Sequence, residues 1–252
     1  MESDVVHNFR NHVFYHGTSL EAAESIAQQG FQVWFEDAEI GRYTSGGNLG
    51  TGLYITCNWR MALWFGPTLL RVEIQPGTRL LNAALPPDGK TLAYLQHEFG
   101  HEILKKSPWK VLPKNKRLKH SESICLFLYH YHQTWEKDYR RDKDGAPRWP
   151  KRRTLHARRL DDFRKVLIRY GFHGYGNPAD DNGLVVFSGD RLVLKEVVVQ
   201  IPAAQYTILD DADFRRFQNL NDLRDAFQRN GSRRAKKLAR QVAATDTDKS
   251  LR

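Results

Sequence analysis

GGNLGTGLYIT, residues 46–56, places four glycines directly ahead of Leu53, Tyr54 and Ile55. Glycine loses more backbone freedom on ordering than any other residue, so such a cluster needs a cause. Two causes fit. One is a loop that feeds a strand. The other is a backbone that passes close to a bound ligand, with Tyr54 held at the ligand's face. The run LYIT reads as a strand under either cause, and its neighbours decide between them.

Upstream, VFYH (13–16) reads as a short strand, and Gly17-Thr18-Ser19 as a tight turn. LEAAESIAQQGF follows with Leu20, Ala23, Ile26 and Ala27 at helical spacing. Thr18 is the expected cap, Glu21 completes a capping box and Gly30 ends the helix. Downstream, NWRMALWFG predicts a short amphipathic helix with Met61, Ala62, Trp64 and Phe65 facing inward. LLRVEIQPG alternates apolar and polar residues at Leu70, Val72 and Ile74, the period of a half-buried strand, and Pro76-Gly77 turns it. Near the end, GLVVF (183–187) and RLVLKEVVVQI (191–201) are β-rich runs split by Ser188-Gly189-Asp190. They predict a hairpin or bent strand pair. The tail from Asp211 reads as helical, then basic (GSRRAKKLARQ), then polar and frayed (ATDTDKSLR).

Between these β-rich ends lies a different composition. From Lys105 to Arg169 there are 20 Lys and Arg against 7 Asp and Glu, more positive charge than the +10 of the whole 252-residue chain. TLAYLQHEFGHEILKK, SESICLFLYHYHQTWEKDY and TLHARRLDDFRKVLIRY carry helical patterns, and RRDKDGAPRWPKRR reads as an exposed loop. Trp109, Tyr129, Tyr131, Trp135, Tyr139 and Trp149 are interleaved with the cations. Charges that track phosphates and rings that stack on bases suit single-stranded nucleic acid. The same rings also suit the core of a small helical subdomain, and the same charges a solvated surface. The expected organisation is 1–82 as the first half of a core, 83–165 as a basic, aromatic-rich helical insertion, 166–210 as the second half of the core, and 211–252 as a basic C-terminal helix and tail.

No run approaches the roughly 18 apolar residues of a membrane span. MESDVVHNFRNHVF lacks the basic and apolar regions of a signal peptide, and Cys57 and Cys125 are the only cysteines. The expectation is a cytoplasmic protein with free thiols.

His97-Glu98-Phe99-Gly100-His101 sets two histidines one helical turn apart with a glutamate between them. That is a zinc-protease pattern, with Glu98 as general base. Its extension fails: Leu104 and Ser107 stand where one zinc-protease class needs glycine and histidine, and Lys105-Lys106 follow where a buried helix is needed. Glu122 is at a plausible distance for a third ligand of another class. No metal is expected, and a zinc protease is a competing reading.

Taken in order, YHGTS, the helix ending in Gly30, GNLGTGLYIT, the helix ending WFG, LLRVEIQPGTRL, RYGFHGY and NGLVVFSGDRLVLKEVVV resemble the ADP-ribosyltransferase superfamily. The branch is the diphtheria-toxin and poly(ADP-ribose)-polymerase-like one, which has a His-Tyr-Glu triad. The resemblance covers roughly residues 13–82 and 167–201. It implies an α+β fold with a split, mostly antiparallel β core, surrounding helices and the basic helical insertion. It implies NAD⁺ as substrate, attack at the anomeric carbon, nicotinamide as leaving group and an oxocarbenium-like transition state. His16 would hydrogen-bond the adenosine ribose, and the main chain of Gly17 the nicotinamide amide, with Thr18 completing the motif. Tyr54 would stack on the nicotinamide with Phe65 on its other side, and Gly52 would let the strand approach. The family's glutamate falls on Gly183, which has no side chain. Asp181, two residues earlier, is the candidate acid, beside Asp180 and Asn182. Members without the glutamate transfer a single ADP-ribose or are inactive.

The function this predicts is a mono-ADP-ribosyltransferase acting on RNA or single-stranded DNA through residues 105–169. It would be toxin-like, which implies a neutralising antitoxin protein as partner. Two further readings compete with it: transfer of ADP-ribose to a protein acceptor, and an inactive module that binds nucleic acid.

Overall fold

The computed structural model describes residues 12–33, 46–47, 50–82, 89–91, 93–95, 97–98, 164–176, 183–206, 211–228 and 232–250. The chain divides into two compact units. Both α-helix and β-sheet are present, in keeping with the α+β expectation.

The first unit holds residues 9–33, 53–78 and 178–252. Strand β1 (Phe14–Thr18) leads through Ser19 into helix α1 (Leu20–Gln29). Ser19, not Thr18, caps α1: its hydroxyl accepts from the Ala22 N–H at 3.1 Å. The strand runs through Thr18, which moves the cap one residue on. Gly30 ends the helix at φ 77°, its N–H donating to the Ile26 carbonyl.

Strand β5 (Thr68–Ile74) is the middle of a three-stranded antiparallel sheet, with β1 on one side and β9 (Leu192–Gln200) on the other. A separate antiparallel pair joins β4 (Leu53–Ile55) to β8 (Leu184–Val186), with Tyr54 opposite Val185. Of the hairpin or bent strand pair expected for residues 183–201, the hairpin is not formed. Strand β8 pairs with β4, strand β9 pairs with β5, and the 3₁₀ turn Gly189–Arg191 carries the chain between them. Both runs have strand composition, but composition does not choose a partner. Gly189 fixes that corner, since a Cβ there would sit 1.6 Å from the Phe31 carbonyl oxygen.

Helix α2 (Trp59–Leu63) is capped by the Asn58 side chain, which accepts from Arg60 and Met61 N–H. Its buried residues are Trp59, Ala62 and Leu63, at i, i+3 and i+4. Of the four expected inward residues only Ala62 is buried, whereas Trp64 and Phe65 are 55% and 62% exposed. The helix ends at Leu63, so the inward stripe stops before them. The core formed here joins Tyr15, Leu69 and Val199 from the sheet to Ala62, Leu63, Phe214, Leu223 and Phe227.

Helices α3 (Ala203–Tyr206), α4 (Asp211–Arg216), α5 (Leu220–Gln228) and α6 (Arg233–Ser250) follow. Helix α6 packs on β9 and α1, burying Ala235, Leu238 and Val242. It continues into the polar run expected to fray. Arg60 ties α2 to the end of α4. Its guanidinium lies 4.2 Å from the Trp59 ring centre and donates to the carbonyls of Phe214, Phe217 and Gln218 at 3.3, 2.5 and 3.2 Å.

The second unit holds residues 1–8, 34–52 and 79–177. The glycine cluster of residues 46–52 falls in it. Strands β2 (Gly46–Gly47) and β3 (Gly50–Thr51) pair antiparallel across residues 48 and 49. Strand β6 (Leu80–Asn82) pairs parallel with β7 (Gly174–Gly176). Residues 89–91, 93–95, 97–98 and 164–169 are helical, in keeping with the pattern of that segment. Tyr94 stacks on Tyr170 at 4.2 Å, and the Arg79 guanidinium stands 5.2 Å from the Phe172 ring centre.

Candidate active site

The His16-Gly17-Thr18 end of β1 is where sheet, helix and the tyrosine strand meet. Tyr15 makes one bridge to Thr56, with its N–H donating at 2.8 Å and its carbonyl accepting at 3.0 Å. The next residue, His16, brings its ring to the neighbouring strand. Nδ1 lies 2.8 Å from the Tyr54 carbonyl oxygen. A carbonyl only accepts, so Nδ1 carries the proton. Burial lowers the pKa of His16 below the usual histidine value, opposed in part by the bond to Tyr54. The ring is therefore neutral at pH 7, and Nε2 carries a lone pair that can accept from a hydroxyl. Phe31 stands edge-on to the ring at 5.8 Å and fixes its orientation.

Gly17 sits against the end of α2. A Cβ there would lie 1.7 Å from the Ala62 carbonyl oxygen. Gly66 makes the reciprocal approach: a Cβ on it would fall 2.3 Å from the Thr18 carbonyl carbon. These two glycines clasp the end of β1 against the α2 turn, and between the two contacts the chain displays Trp64 and Phe65. The family pattern singles out Phe65 but neither Trp64 nor Gly66. The paired aromatics before a glycine are the available signal for both. In a strand, residues two apart turn their backbone groups to the same edge. Gly17 thus presents N–H and C=O along the edge that Tyr15 uses to meet Thr56.

Across the sheet, Thr18 lies opposite Thr68, which lies opposite Gln200. The Thr68 hydroxyl and the Gln200 side-chain Oε1 are buried with no hydrogen-bond partner among the described residues. Most buried polar atoms in folded proteins are paired with protein groups or with ordered water.

Gly183, where the resemblance sets a glutamate, has φ 65°, and a Cβ there would lie 2.2 Å from the Ile55 carbonyl oxygen. The position excludes a side chain instead of merely lacking one. Asp181 and its neighbours Asp180 and Asn182 lie outside the described residues. Gly52 is buried and belongs to the other unit. The structure thus gathers His16, Gly17, Thr18, Tyr54 and the Trp64–Phe65 turn within one unit.

The zinc-protease pattern is described only at its start. His97 is exposed, and Glu98 accepts from the Arg169 guanidinium at 2.7 Å. His101, Glu122 and the aromatic segment 105–163 lie outside the described residues. Among the described residues, no group of three His, Cys, Asp or Glu is placed to hold a metal ion, and no helix is long and apolar enough to cross a membrane.

A cleft of about 450 Å³ lies elsewhere in the first unit, lined by Gln29, Gln32, Gln75, Asp190 and Gln241 among others. None of His16, Tyr54 or Phe65 lines it, and its volume alone assigns it no chemistry. In comparison with known proteins, the chain matches no family model, no curated protein and no solved structure.

Proposed function

We propose that this protein is a mono-ADP-ribosyltransferase that uses NAD⁺ and modifies nucleic acid. The observation that carries the reading is the hydrogen bond from His16 Nδ1 to the Tyr54 carbonyl. It couples the two motif residues and leaves Nε2 to accept from a ribose hydroxyl. Gly17 supplies a main-chain edge for the nicotinamide amide, and Tyr54 and the exposed Phe65 supply rings. In the reaction the bond between ribose C1′ and the nicotinamide nitrogen breaks, and nicotinamide leaves as a neutral base. A nucleophilic oxygen or nitrogen of the acceptor bonds to C1′ and gives up its proton. Asp181 is the candidate to take that proton. The protein's work is positioning and electrostatic stabilisation of an oxocarbenium-like transition state.

The side-chain-excluding geometry at Gly183 supports a second reading, an inactive module that binds nucleic acid. Nicotinamide release from NAD⁺ separates the two. It is measured alone and with RNA, single-stranded DNA or protein, followed by mass spectrometry of the acceptor. The transferase reading expects release stimulated by nucleic acid, a mass increase of one ADP-ribose, and loss of both in His16→Ala and Tyr54→Ala. No release with any acceptor rejects it. Stimulation by protein alone moves the acceptor class.

A further inference from the structure

Helix α6 carries a charge pattern that works against the helix itself. Arg233, Lys236, Lys237 and Arg240 are all exposed and stand at i, i+3, i+4 and i+7, on one face. Their neighbours three and four positions away within α6 are one another or uncharged, apart from Arg234, which lies three before Lys237. The stripe therefore holds four like-charge pairs (233–236, 233–237, 236–240 and 237–240), each unfavourable by about 0.2–0.5 kcal/mol. It also sits at the wrong end. The N-terminus of a helix disfavours cations, and α6 has no acidic residue in its first turn. The acids Asp246 and Asp248 come near its C-terminus instead. Arg234, on the flank of the stripe, binds Glu24 and lies 3.6 Å from Glu21 on α1. The face opposite the stripe is already occupied by packing, with Ala235, Leu238 and Val242 buried.

We infer that this face of α6 is a phosphate-backbone surface for single-stranded nucleic acid. The four cations extend over about 10 Å of helix, a line of positive charge that a sugar-phosphate backbone can follow. A membrane surface fits less well, because an interfacial helix needs apolar residues beside its cations and those of α6 are turned into the protein. The inference rests on the nucleic-acid part of the proposed function but not on its chemistry, and the surface is separate from the segment 105–169.

The test is binding of a fluorescent single-stranded RNA or DNA oligonucleotide, without NAD⁺, across a salt titration. Wild type is compared with the variant Arg233→Gln, Lys236→Gln, Lys237→Gln, Arg240→Gln, and with Arg233→Lys, Arg240→Lys. The glutamine variant is expected to lose at least ten-fold in affinity, and its slope of log K against log salt to fall by about 2–3. The lysine variant keeps both. Circular dichroism confirms that the glutamine variant stays folded. Unchanged affinity and slope overturn the proposal, as does a wild type that binds no oligonucleotide. Equal binding of polyglutamate, or of vesicles rich in anionic lipid, with the same loss in the glutamine variant, also overturns it and assigns the face to that partner. Because NAD⁺ is absent, failed binding and failed nicotinamide release are read independently.

Discussion

At the scale of the residue, His16 and Gly183 make opposite demands. His16 is held neutral in the folded chain because burial lowers its pKa, while in the unfolded chain it titrates near 6.5. Above pH 6.5 neither state binds the proton, and the stability from the neutral ring is whole. As the pH falls below 6.5 the unfolded state gains the proton first, so stability drops until the folded ring titrates as well. Urea unfolding of wild type and His16→Gln from pH 8 to pH 5 is expected to show a steeper acid loss in wild type. Parallel curves would remove His16 as the source. Gly183 and Gly30 form a second comparison, since both have positive φ but only Gly183 is crowded. Gly30→Ala is expected to cost about 1–3 kcal/mol, from backbone strain alone. Gly183→Ala adds the contact with Ile55 and is expected to cost about 1–3 kcal/mol more than Gly30→Ala. Gly183→Glu, which introduces the residue the resemblance would set there, is expected to destabilise at least as much and to gain no turnover. Equal costs at the two glycines would contradict the steric account.

At the scale of the element, α2 divides its residues between the core and the surface. Trp59, Ala62 and Leu63 hold it down, and Trp64 and Phe65 stand out. Leu63→Ala is therefore expected to cost about 2–5 kcal/mol. Phe65→Ala is expected to cost under about 0.5 kcal/mol. If Phe65 meets nicotinamide, the same change lowers NAD⁺ turnover at least ten-fold; chemical denaturation and nicotinamide release on the same samples check both parts. The elements also show where sequence reading succeeds. Strands β1, β4, β5, β8 and β9 are legible because each shows β-rich or alternating composition over its own length. The end of α1 is legible because Gly30 has a conformational reason to be there. Strand pairing is not legible, since β8 and β9 choose partners more than 100 positions away and nothing local encodes that choice. The direction of Trp64 and Phe65 is hidden because a periodic pattern does not reveal that a helix stops one residue earlier. At the candidate site, His16 and Tyr54 are legible as types in order. Their contact through the Tyr54 main chain is not, because a backbone carbonyl leaves no mark on the sequence.

At the scale of the whole molecule, α6 closes the first unit by bringing Arg234 back to Glu24, 210 positions earlier. Its two faces carry separate duties, and substitutions should separate them. Leu238 is buried, so Leu238→Ala is expected to destabilise by about 2–5 kcal/mol. The same change should leave the salt slope of nucleic-acid binding intact under conditions where the variant remains folded. The glutamine variant of the solvent stripe should do the reverse. Its binding falls while its stability holds or rises, because four like-charge pairs are removed from the helix. Arg234, paired across to α1, belongs with the buried face by its contacts, and Arg234→Gln should follow Leu238→Ala in sign. Thermal unfolding and salt-dependent binding on the three variants resolve the question together. If folded Leu238→Ala weakens the salt slope as strongly as the glutamine variant does, the slope does not come from the stripe and the phosphate-contact reading of α6 fails. If the two effects separate, the helix that completes the fold is also the helix that carries the phosphate contacts.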